Sequence, residues 1–125
     1  MRVIVKINTS AKTVYSKFTG AITDSDMRSA VADLAKHPGF DPAFSHIIDF
    51  SGVTSASVSP NFIRALAHEK PLFHRDAKQV IVAPHPHMFA LGRMAQILRE
   101  RQLPNIRVVR SVSEAFAILG IKQAG

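Results

Sequence analysis

The chain has 125 residues, sixteen Lys+Arg against nine Asp+Glu, a formal charge of +7 at pH 7 and no cysteine. That length supports one domain with its own core, and the absent thiols exclude disulfides, thiol catalysis and the common structural zinc sites. A hydrophobic share of 46% excludes a disordered chain, and no apolar run reaches the ~18 residues of a membrane span.

Val3, Val5 and Ile7 alternate with Ile4, Lys6 and Asn8, which predicts a strand and is no secretory signal. After the polar Asn8–Lys12 link, Val14, Ser16 and Phe18 predict a second strand, antiparallel to the first and closed by Gly20. Thr23 reads as an N-cap with Asp24 and Asp26 in the first turn, and Met27, Ala30, Val31 and Leu34 carry a helix to about Lys36.

His37–Phe44 is a Pro- and Gly-bearing loop whose two phenylalanines serve as anchors. His46–Phe50 predicts a short apolar strand, with His46 a hydrogen-bonded structural histidine. Ser51–Ser59 predicts a small-residue loop, with Ser59 capping a second helix that begins at Pro60 and buries Phe62, Ile63, Leu66 and Ala67. Gln79–Ala83 is a further buried strand. A third helix follows Pro84 and Pro86 to about Arg101, with Ala90, Leu91, Met94, Ile97 and Leu98 on its apolar side and Phe89 and Arg93 on the other. Ile106–Arg110 is the fifth strand, and Ser113 opens a last helix that Gly120 stops. The order β-β-α-β-α-β-α-β-α predicts one α/β domain over residues 1–125, its mainly parallel sheet opened by an antiparallel hairpin.

Charge is uneven along this order. Up to Phe62 six Lys/Arg face five Asp, whereas the remainder carries ten Lys/Arg against four acids. Arg93, Arg99, Arg101, Arg107 and Arg110 concentrate the excess around the third helix and fifth strand, a composition suited to nucleic acid, an acidic partner or an anionic membrane surface, or simply to a solvated face. A single tyrosine and no tryptophan leave few stacking platforms, which argues against nucleic acid.

Ligands in open α/β sheets gather at the carboxyl ends of the strands, here Asp49–Ser59, Ala83–Met88 and Arg110–Ser113. Neither a dinucleotide fingerprint nor a P-loop occurs there. Asp49 stands where a phosphoacceptor would, but no carboxylate pair near the first strand could hold Mg²⁺. His85 and His87 flank a rigid proline and read as surface residues rather than metal ligands. Ser57 and Ser59 precede a helix N-terminus, where an anion or a phosphoserine would be favoured.

With Phe40-Asp41-Pro42, Ile48-Asp49-Phe50-Ser51-Gly52-Val53 and Val82-Ala83-Pro84 followed by Phe89 and Arg93-Met94, the chain resembles the STAS domains. The closer resemblance is to the small stand-alone SpoIIAA-like bacterial proteins, related to anti-sigma-factor antagonists. The resemblance implies a cytoplasmic, non-enzymatic regulatory module without a cofactor, which docks a protein partner or a second copy of itself. In the family a serine at the start of the second helix is the phosphorylated switch. Val58 falls on that position here, leaving Ser57 and Ser59 as candidate phosphoacceptors or an anion-binding loop, and Asp49, Phe89 and Arg93 as a candidate interaction surface. An alternative follows from Sec14-type lipid-carrying domains of similar fold: a small-ligand or lipid binder. A chain this short is expected to have little spare core for a large cavity.

Overall fold

The computed structural model describes residues 2–123. Strands β1 (Arg2–Asn8) and β2 (Thr13–Thr23) form the antiparallel hairpin, with Val5 opposite Ser16. β3 (Ser45–Ser57), β4 (Gln79–Val82) and β5 (Ile106–Val109) add in turn, each parallel to its predecessor, so the sheet runs β1-β2-β3-β4-β5. Between and after them lie α1 (Asp24–Lys36), α2 (Pro60–Ala67), α3 (Pro86–Leu98) and α4 (Val112–Leu119). Class and element order agree with the sequence reading.

Local chemistry fixes the helix starts. Thr23 accepts the Asp26 N–H while the Asp26 carboxylate accepts the Thr23 N–H, a reciprocal cap that pairs two otherwise orphaned donors. Ser59 accepts the Phe62 N–H with Pro60 in the first turn of α2. At α4 the cap is Ser111, not Ser113, and Gly120 at φ 66° ends the helix in the left-handed conformation that glycine tolerates.

Two strands outrun their predicted ends. β2 continues through Gly20, whose φ of 82° sits at a register shift, so the glycine absorbs a bulge instead of ending the strand. Ser51–Ser57 is the second half of β3, paired with Thr19–Thr23, rather than a loop. Small polar side chains disguised it as a connection.

The sheet has two covered faces. α1, α2 and α3 lie on one, over Phe18, Phe50, Ile81 and Ile106, with a neighbouring cluster of Val14, Leu34, Phe73 and Ala77. Phe40 meets Phe73 edge-on at 5.2 Å, so the loop anchors as expected. α4 covers the other face through Ala115 and Phe116 against Ile47, Val80 and Val82. Among the described residues no helix is long and apolar enough to cross a membrane.

The face that α3 buries matches the expected one in part: Leu91 is buried and Met94 packs against the core. Met88, Leu91 and Gly92 are buried, whereas Ala90, Ile97 and Leu98 point outward, Ile97 with 63% of its surface exposed. Gly92 is the reason. A Cβ there would stand 3.1 Å from Val108 Cγ1, so the absent side chain lets α3 approach the sheet on that side. A wheel that weighs apolar side chains cannot register such a contact.

Candidate functional site

Between the sheet and α1–α3 lies a cavity of about 560 Å³. Its floor is the helix-side row of the strands, including Phe18, Ile48, Ile81 and Ile106, and its roof includes Ala30 and Leu34 of α1 and Leu91 of α3. Small residues make the space. Ala30, Gly92 and Ala95 project little volume from the roof, and Leu34 is the one buried side chain of α1. Exposed Val31, Glu69 and Lys70 mark where the cavity meets solvent, between α1 and the connection after α2. Beside that rim Arg28 of α1 pairs with Glu69 at 3.0 Å.

The space is partly open to solvent, and ligand pockets run to several hundred Å³. The expectation of little spare core is therefore corrected. Large helix side chains such as Met27, Leu34, Ile63 and Leu91 share this layer with Ala30, Gly92 and Ala95, which leave part of it unfilled. The cavity reaches the amino-terminal ends of the parallel strands at His46, Gln79 and Ile106, as well as Phe50, Val58 and Met88 toward the carboxyl ends that strand topology nominates.

Three polar residues punctuate this apolar lining near those strand starts. Ser16 Oγ lies 2.8 Å from His46 Nε2, and the His46 ring stacks on Phe73 at 4.7 Å. Burial pushes the His46 imidazole down to about 3, so it is neutral at ordinary pH. Gln79 stands opposite His46 in the β3–β4 pairing. His46 Nδ1 and Gln79 Nε2 are buried with no hydrogen-bond partner among the described residues. The expected structural hydrogen bond of His46 is present, but it satisfies only one ring nitrogen.

Asp49 is on the opposite face of β3 and fully buried. It accepts the Tyr15 hydroxyl and the Ser51 N–H. Burial raises the Tyr15 phenol, and the hydrogen bond and charge of Asp49 raise it further. Asp49 therefore belongs to the packing under α4, where Tyr15 stacks on Phe116 at 6.2 Å, and offers no surface to a partner.

Ser57 is exposed at the end of β3. The Ser59 hydroxyl caps α2 and also donates to Asp24 at 3.0 Å, while the Ser59 N–H donates to the same carboxylate. A phosphoryl group on Ser59 would face Asp24 at close range and lose the cap. Val58, at the family's switch position, is buried in the core.

Phe89 is half-buried against the main core with the Arg110 guanidinium 4.0 Å above its ring, and exposed Arg93 donates to Gln96. Arg93 shares a shallow surface depression with Ile97, Glu100 and Arg107. Arg99 is withdrawn from the arginine-rich side, donating to the Leu66 and Glu69 carbonyls at the end of α2. His85 and His87 are exposed, and among the described residues no three His, Asp or Glu side chains gather as metal ligands do.

Ser16, His46, Gln79 and the cavity they line escaped sequence reading as a site. The available signal was three polar residues on inward positions of otherwise apolar strands. No family model matches the chain, and no curated protein matches it.

Proposed function

We propose that this protein is a non-enzymatic binding module that takes a small apolar or amphipathic ligand between its sheet and helices α1–α3. The observation that supports this reading is the 560 Å³ cavity, which has apolar walls and reaches the surface beside α1. Such a cavity loses packing contacts when empty, and an apolar guest restores them. Leu34 is the single buried side chain of α1, which makes that helix the part most easily displaced for entry.

Uptake of the neutral fluorophore N-phenyl-1-naphthylamine tests the reading. Saturable binding to one site is expected, with uptake reduced in Ala30→Leu and Ala95→Leu, which fill the roof. Absence of saturable uptake, or uptake unchanged in both folded variants, contradicts it.

A second reading is favoured by the outward side of α3, where Ile97 is 63% exposed beside Arg93 and Arg107. Apolar and arginine side chains together suit a protein interface. On this reading a protein partner, or a second copy of the chain, docks on α3, in keeping with the regulatory role that the STAS resemblance implies. Sedimentation of the wild-type and Ile97→Glu proteins tests the homodimer form. A concentration-dependent dimer lost in the variant supports it, and a monomer at every concentration disposes of it.

A further inference from the structure

We infer that the ligand's polar group is a neutral oxygen, a hydroxyl above all, seated between His46 and Gln79 at the amino-terminal ends of β3 and β4; this rests on the cavity-binding reading above. The two residues face one another across adjacent strands, line the cavity, and are each 7% exposed. Buried polar atoms are ordinarily paired, because an unpaired one bears its full desolvation cost. His46 Nδ1 and Gln79 Nε2 are both unpaired, and their residues are register partners that line the same pocket. Neither atom has open surface in this fold, so a ligand oxygen would reach them as the two side chains turn within the pocket, and would then pair both.

The chemistry selects the group. If the Ser16 hydroxyl donates to Nε2, then Nδ1 carries the ring proton, and His46 and Gln79 present two donors to one acceptor oxygen. If Nε2 donates to Ser16, then Nδ1 accepts while Gln79 donates, a pair that a hydroxyl complements by donating and accepting. A hydroxyl meets both arrangements and a hydrocarbon meets neither.

A carboxylate is disfavoured on charge. Buried and neutral, His46 supplies no cation. Of the cationic lining residues, Lys70 is exposed, and Arg99 is engaged with the Leu66 and Glu69 carbonyls. An anion beside His46 and Gln79 would be desolvated without a counter-charge. The ligand class is therefore a neutral alcohol with an apolar body.

Displacement of N-phenyl-1-naphthylamine by 1-octanol, octane and octanoate, which share one chain length, tests the inference. The expected result is 1-octanol binding roughly tenfold more tightly than either competitor, the value of one buried hydrogen bond. The preference, read as the ratio of 1-octanol to octane affinity within the same variant, should collapse in Gln79→Leu. In the wild-type protein 1-octanol should also shift the His46 imidazole ¹⁵N signals, and octane should not, a readout independent of any variant's folding. Equal affinity for the three, or tightest binding of octanoate with its preference lost in Lys70→Ala, overturns the inference and leaves the cavity-binding reading standing. Failure of the fluorophore itself to bind overturns both.

Discussion

Ser16 and His46 meet across β2 and β3 at 2.8 Å on the buried face of the sheet, and this contact holds an imidazole inside an apolar chamber. Thermodynamic linkage follows from the placement. The unfolded chain takes up a proton on His46 below about 6.5, whereas the folded chain does so only near 3. More protons are then bound by the unfolded state, so stability falls as pH drops through this window, by up to about 1.4 kcal/mol per pH unit. Urea unfolding between pH 6.5 and 5, above the range where most carboxylates titrate, should show the slope. It should flatten in Ser16→Ala/His46→Leu, which removes the imidazole without orphaning the serine.

On the other face, Tyr15 and Asp49 give a spectroscopic handle. The chain has one tyrosine and no tryptophan, so ultraviolet phenolate absorbance reports Tyr15 alone. Its ionisation should begin well above the ordinary value of 10.0, since burial and Asp49 both oppose the phenolate. In Asp49→Asn the titration should move down without reaching 10.0, because burial, the larger cause, remains. Tyr15→Phe leaves a fully buried carboxylate short of a donor and should cost about 1–3 kcal/mol by urea unfolding.

Ser59 tests capping against switching. Ser59→Ala removes the α2 cap and the bond to Asp24 and should lower stability by about 1 kcal/mol. Ser59→Asp supplies a capping carboxylate but sets it against Asp24, so it should be no more stable than the alanine variant. Fluorophore uptake should be unchanged in the alanine variant, because Ser59 does not line the cavity. A phosphomimetic that raised stability would contradict the assigned hydrogen bonds.

The sequence carried the fold because period-two and helical patterns, prolines and caps are local signals. Thr23, Ser59 and Pro60 sit where their chemistry predicted, and β1, β4 and β5 follow their apolar runs. It misled where the decisive contact was a missing atom. Gly20 read as a stop because its bulge depends on the partner strand, and Gly92 turned α3 by letting a helix approach Val108. Ser51–Ser57 read as a loop because its hydrogen-bonding partner, the far end of β2, is some thirty residues away.

The site was less legible for the same reason. A cavity is a sum of absences spread over two helices, and Ala30, Gly92 and Ala95 each look like ordinary helix residues in isolation. Ser16, His46 and Gln79 belong to three strands, and only the parallel register brings them to one end of one face. Asp49, at the end of an apolar run, reads as a surface residue because its partner Tyr15 lies 34 residues away on the neighbouring strand.

The most direct measurement is a methyl NMR titration of the protein with 1-octanol, using isoleucine and leucine methyl groups as sensors. Cavity binding predicts saturable shifts at Ile48, Ile63, Ile81, Ile106, Leu34 and Leu91, which line the space. Ile47, under α4, and outward Ile97 should remain still. Shifts confined to Ile97 and Leu98, or none at any methyl up to the solubility limit of the alcohol, would contradict it.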